Sequence, residues 1–303
     1  MVVYDADSRP PLDSLARFEH AIATHAQVSI FHQSSAFELR TAGRPLHALA
    51  AVGRLVCDGG ALRANRFVTG FEIPRLLNRS AGAPRYKRSA CSYVYAHVTG
   101  HGLCVRLSVM RELPLPARSP LEDMHWSFRL GTHNVPMIAI PSLDVAEVPD
   151  RPVDQIRQAA RWFFGPGRAL HYLRDATIQS GWRARILAAS AVGSAAEWLA
   201  CAVIPVLTFG AIVLSDGAAR GLAITVVTVY VVQLLVTECA LGARDPFPRR
   251  LARVAACPVA TVLFGIGGFV GAAHLLRGGS GVGKTERRQG DEDSLRHDQL
   301  CRD

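Results

Sequence analysis

Lysine is nearly absent from this 303-residue chain, occurring only at 87 and 284, so the formal charge of +9 is carried by arginine. No basic stripe interleaved with aromatics accompanies that charge, and none of the familiar nucleic-acid motifs occurs, which argues against DNA or RNA as a partner. Anionic phosphosugar ligands, and anionic headgroups of membrane lipids beside membrane segments, suit it better. Paired cysteines are missing as well. The seven present (Cys57, Cys91, Cys104, Cys201, Cys239, Cys257, Cys301) show no C-x-x-C spacing, and three fall inside apolar runs. This excludes a disulfide framework and a cysteine zinc site and fits a reduced, cytosol-facing domain. No signal peptide is read at the start, because Asp5 and Asp7 interrupt what would be its apolar core.

What the chain does have is apolar sequence, 49% of its residues, in two textures. Residues 1–182 mix short apolar runs with Pro, Gly and charged residues, as an α/β domain would. Beyond Arg183 and Arg185, the runs 186–214, 222–241 and 254–276 each exceed the roughly 18 residues that reach across a bilayer core. The expectation is an α/β domain over 1–182 that ends in amphipathic interface helices, a transmembrane region of about three helices over 183–277, and a disordered polar tail over 278–303. The arginines before the first run, with Arg244, Arg249, Arg250 and Arg253 between the second and third, put the domain in the cytoplasm of a multi-pass plasma- or inner-membrane protein. Three spans would then carry Arg277, Lys284, Arg287 and Arg288 outside, against the same rule. An even number of spans removes the conflict. Glu197 and Glu238, within the runs, are costly there unless they face other helices or a polar cavity, or snorkel from a helix end.

Residues 278–285 match the phosphate-loop pattern G-x-x-x-x-G-K-[ST] letter for letter. That mechanism needs a strand before and a helix after; here a membrane run precedes and eighteen residues follow. A flexible glycine-rich linker is the better reading.

Four clusters carry chemistry. On a strand, Asp5 and Asp7 aim their carboxylates to one face, a hard oxygen pair suited to a divalent cation. Gly100 and Gly102 flank His101, so the backbone can approach a ligand closely there; a histidine in such a turn is also often structural. Glu122 and Asp123 open a helix, where the dipole favours acids and where Asp123 is placed to act as a general base. Gln158, Arg161 and Trp162 share one helix face, able to grip a diphosphate and stack on a sugar, or to lie at a membrane interface.

In this order, and followed by apolar helices, the motifs Asp5-Ala6-Asp7, Gly100-His101-Gly102, Glu122-Asp123 with Arg129-Leu130, and Gln158-x-x-Arg161-Trp162 resemble the membrane-bound family 2 glycosyltransferases that include cellulose, chitin and hyaluronan synthases. The resemblance covers residues 1–182. It implies a partial GT-A fold followed by an α-helical transmembrane region, and inverting sugar transfer from a nucleotide-sugar donor to a glycan or lipid-linked acceptor. Asp5 and Asp7 would meet the donor diphosphate and its Mg²⁺ or Mn²⁺, and Asp123 would deprotonate the acceptor. Gln158 and Arg161 would hold the leaving diphosphate, Trp162 would line the acceptor site, and the 100–102 loop and Glu122 would lie near the substrates. Family members begin with a nucleotide-binding half that does not precede Asp5 here. The expectation is therefore a chain inactive alone, truncated at the Asp-x-Asp motif, completed by an upstream stretch or a separate chain. A non-catalytic membrane scaffold derived from such an enzyme is the alternative.

Overall fold

The computed structural model describes residues 1–4, 8–39, 48–74, 102–116, 119, 121–133, 135–175, 178, 181–241 and 245–279. Its centre is a four-stranded sheet in the order β1 (Val2–Val3), β4 (Leu103–Val105), β2 (Ile30–His32), β5 (Met137–Ala139). β4 runs antiparallel to both neighbours, and β2 and β5 are parallel. Successive strand residues face opposite sides, and both sides here are apolar. Ile30, Leu103, Val105 and Met137 join Val109, Leu113, Trp126 and Leu130 in one core. Phe31, Cys104 and Ile138 join Phe18, Ala21, Val28 and Ile140 in the other. The first core is closed by α3 (Leu107–Glu112) and α4 (Glu122–Thr132), the second by α1 (Ser14–Thr24). A sheet covered on both faces is the layered α/β arrangement expected from the sequence.

A second, two-stranded parallel sheet joins β3 (Ser35–Leu39) to β6 (Asp144–Val148). Its β3 backbone is capped from α2 (Ala48–Phe67) by Asn65, which accepts from Phe37 N–H at 2.7 Å and donates to Phe37 C=O at 2.9 Å. That pairing satisfies two groups on an edge strand. α5 (Pro152–Gly167) and the short α6 (Ala169–Tyr172) follow. Pro152 stands in the first turn of α5, where its missing N–H costs nothing.

Three long helices then close the described chain: α7 (Trp182–Leu214), α8 (Gly217–Ala240) and α9 (Phe247–Leu276). All three are long and apolar enough to cross a membrane, so the helical region after the α/β domain is present as expected. Glu238 is buried near the end of α8, its carboxylate 2.8 Å from Arg253 of α9; Glu197 is exposed midway along α7. The phosphate-loop look-alike begins as a helix stop. Gly278, at φ +75°, donates to Leu275 C=O, and Gly279 donates to His274 C=O. Together they close α9 in a Schellman motif, so a helix rather than a strand precedes the pattern.

Candidate functional site

Strand pairing fixes what meets at one end of the main sheet. Val3 faces Leu103, His32 faces Leu103, and Ala139 faces His32. Tyr4, Gln33, Gly102 and the 140–142 segment therefore leave the sheet side by side. Gln33, fully buried, ties them together. Its Oε1 accepts from the Tyr4 hydroxyl at 2.6 Å, and its Nε2 donates to Ser142 Oγ at 2.8 Å and Ser14 Oγ at 3.2 Å. Its backbone N–H donates to Gly102 C=O at 2.6 Å. Burial pushes the Tyr4 hydroxyl above its usual range, which keeps it a donor.

Gly102 sits at φ +63°, and a Cβ there would collide with the Gln33 carbonyl oxygen. Substituting Gly102→Ala is expected to cost about 1–3 kcal/mol, read as a lowered thermal unfolding midpoint. Asp5, Asp7, Gly100 and His101 lie outside the described residues. Their neighbours in sequence, Tyr4 and Gly102, are adjacent across the β1–β4 pair. Among the described residues no group of three or more His, Cys, Asp or Glu side chains is arranged to hold a metal ion.

The second acidic cluster stands where the sequence puts it, in the first turn of α4. Glu122 is exposed and Asp123 half-buried. Asp123 Oδ1 accepts from the Met124 N–H at 2.7 Å, and its carbonyl accepts from Ser127 Oγ at 2.8 Å. The helix behind it is anchored by Asp175. Arg129 donates to Asp175 Oδ2 through Nε at 2.9 Å and Nη2 at 2.6 Å, and through Nη1 to Pro114 C=O at 2.7 Å. Trp126 Nε1 donates to Leu113 C=O at 2.6 Å. His125 stacks on Tyr172 with ring centres 4.4 Å apart. Its Nε2 lies 2.8 Å from the same Asp175 oxygen but off the line a hydrogen bond needs.

Burial, with Arg129 beside it, lowers the His125 pKa more than Asp175 raises it. Folding thus favours the neutral ring. Its contribution to stability is complete above the unfolded-state pKa of about 6.5 and erodes as the pH falls below it. The thermal midpoint is expected to drop between pH 7.5 and 5.5, and part of that drop to vanish in His125→Gln.

α5 reaches the same turn. A Cβ at Gly165 would collide with the Met124 methyl and come within 3.2 Å of Leu121, so α5 rests on the residues either side of Glu122 and Asp123, one turn beyond Arg161. Gln158, Arg161 and Trp162 are half-buried. Gln158 and Trp162 line a cavity of about 20 Å³ with Gly60, Arg63, Gln155 and Phe264. It holds about one water and no sugar ring. Trp162 also packs edge-on against Phe37 of β3, ring centres 6.5 Å apart. Arg161 is not part of that lining.

The structure thus brings Asp123 to α5 and the neighbours of Asp5 to Gly102. Sequence reasoning missed Gln33, His125 and Asp175. His125 and Arg129, four residues apart on one helix face, could have been read as a pair; Asp175, 46 residues from Arg129, leaves no local signal.

Neither a curated protein nor a solved structure matches the chain. The family model described as glycosyl transferase family group 2 matches residues 1–237, taking in the whole α/β domain, α7 and most of α8. With a match over that much of its length, the chain belongs to glycosyl transferase family group 2.

Proposed function

We propose that the protein transfers a sugar, with inversion, from a nucleotide-sugar donor to a glycan or lipid-linked acceptor at the cytoplasmic face of a membrane, as the polysaccharide synthases it resembles do. The observation that supports this reading most is the seating of α5, through Gly165, on the turn that carries Asp123. Displacement at an anomeric carbon needs a base beside the acceptor and cationic or hydrogen-bonding groups beside the departing diphosphate. Asp123 is the base. Arg161 and Gln158 hold the diphosphate, and Trp162 borders the acceptor side. Glu122 and the Gly100-His101-Gly102 loop flank the substrates, with no chemical step assigned to His101.

Asp5 and Asp7 are the pair that would hold Mg²⁺ or Mn²⁺, hard ions matched to carboxylate oxygen, whose charge would offset that of the diphosphate. The anchored Arg129–Asp175 pair positions Asp123 by fixing α4. Recognition of the nucleotide base belongs, by the resemblance, to strands other than those described.

The test uses membranes containing the product of the complete reading frame, supplied with radiolabelled nucleotide sugars. Transfer or hydrolysis is expected with Mn²⁺ or Mg²⁺, to stop with EDTA and to return when the metal is restored. No turnover of any donor, together with no retention of nucleoside diphosphate in equilibrium dialysis, would sink the reading in favour of a non-catalytic scaffold.

A further inference from the structure

Length and apolar composition qualify α7, α8 and α9 alike as spans, but their surroundings differ. The most apolar stretch of α7 is wholly unburied, that of α8 is 22% buried, and that of α9 is 44% buried. What covers α9 is chiefly the α/β domain, together with the Trp198–Ala202 part of α7. At its start, Arg249 and Arg253 pair with Asp58 of α2 at 3.5 and 3.7 Å. Gly59 of α2 abuts the backbone at Ala256 and Cys257. Along its second half lies α5: a Cβ on Gly267 would meet Ala159 at 2.5 Å and the Ile156 carbonyl at 2.6 Å, and one on Gly271 would meet the Ala160 carbonyl at 2.6 Å. Just past its end, Arg168 donates to Gly279 C=O at 3.0 Å. Both ends of α9 are therefore bonded to the same domain.

We propose that only α7 and α8 cross the bilayer, as a hairpin turning at Ser215 and Asp216, while α9 lies along the domain at the membrane surface and returns the C-terminus to the domain's side. A crossing α9 would take α5 with it, and α5 carries Asp154, Arg157 and Arg161; charged groups in hydrocarbon are costly. The hairpin has no such companion beyond its base. Exposed apolar residues such as Val206, Leu207, Phe209, Leu222 and Val229 cover its outer part. Its polar marks fall at matching depths. Glu197 on α7 and Gln233 on α8, the latter accepting from Arg66 of α2 at 3.0 Å, stand nearly equidistant from the turn. Asp216 and Arg220 pair at the tip, 3.1 Å apart. Between these marks α7 runs for 17 uncharged residues, Trp198–Leu214, about 25 Å of helix against a core of about 30 Å.

α9 meets the hairpin over the first turns above its base, with Tyr230 bonded to Thr261 at 3.0 Å, Trp198 stacked on Phe264 at 4.3 Å and Gly265 against the Ala202 backbone. It shows solvent one stripe of apolar residues, Val259, Ile266, Phe269, Val270 and Leu276, which fits a helix lying in the interface. Two crossings also put Arg249, Arg250 and Arg253 and the basic tail at 277–288 on one side, satisfying the positive-inside rule for both at once.

Protease protection of the full chain in sealed vesicles of known orientation tests this. One short epitope is inserted between Ser215 and Asp216, another is placed at the C-terminus, and an antibody to α1 reports the domain. The domain and the C-terminal epitope are expected on one side and the 215–216 epitope on the other. Any other distribution, including a C-terminus beside the 215–216 epitope or all three together, overturns the proposal. If the insertion prevents expression, labelling of Asp216→Cys above the parent chain by a membrane-impermeant maleimide gives the same reading.

Discussion

Asp123→Asn is expected to lower kcat for sugar transfer by about 10²–10⁴-fold, the usual worth of a positioned general base, with the donor KM little changed. The substitution is a sharp probe because an amide keeps the size and shape of the carboxylate and removes its charge. Two contacts at this turn survive it: the acceptance from the Met124 N–H, which an amide oxygen reproduces, and the Ser127 bond to the Asp123 backbone carbonyl, which the side chain does not enter. The anchors of α4, Arg129 on Asp175 and Trp126 on Leu113, lie a turn or more away. The thermal midpoint should therefore stay where it is while turnover collapses. Glu122→Gln is the control, since Glu122 is exposed on the same turn; it is expected to cost far less. Equal losses at the two positions, or a fall in stability that accounts for lost turnover in Asp123→Asn, would remove Asp123 from the role of base.

Much of the architecture was legible from composition and pattern. Short apolar runs broken by Pro and Gly marked the α/β domain, and apolar runs marked the three long helices, because burial in a sheet and length in a helix write themselves directly into sequence. Helix-borne pieces of the candidate site were legible for the same reason. Glu122 and Asp123 do open a helix, and Gln158, Arg161 and Trp162 do share one. What the pattern could not show was long-range. Gln33 gathers Tyr4, Ser14, Gly102 and Ser142 from four separate segments, and Asp175 reaches back to His125 and Arg129. Nothing local distinguishes such a glutamine or aspartate from a solvated one. The packing of α5 along α9 was equally hidden. The glycines at 267 and 271 read as ordinary apolar-helix residues until the alanines opposite them are known.

Arg253→Leu is expected to destabilise the protein by about 3–5 kcal/mol, the typical cost of stripping one partner from buried charges. The guanidinium lies between three carboxylates, from α8, α2 and the connection before α9: Glu238 at 2.8 Å, Asp58 at 3.7 Å and Asp245 at 2.8 Å. The Asp58 and Glu238 side chains are only 8% and 5% exposed, so solvent cannot take over from the arginine. Arg249 also reaches Asp58, at 3.5 Å and so slightly closer than Arg253, and Arg250 reaches Glu238 at 3.7 Å, but both are themselves more exposed. Arg253→Lys should recover only part of the loss, since one ammonium cannot present two separate donor edges to carboxylates on either side. Adding Glu238→Gln to Arg253→Leu should make the double variant less damaged than the sum of the singles, because the second change removes a charge the first left stranded. The measurement is the thermal midpoint in detergent of all four variants. Additive losses would show that the carboxylates are solvated in the folded protein and that the cluster does not join α2 of the domain to α8 and α9.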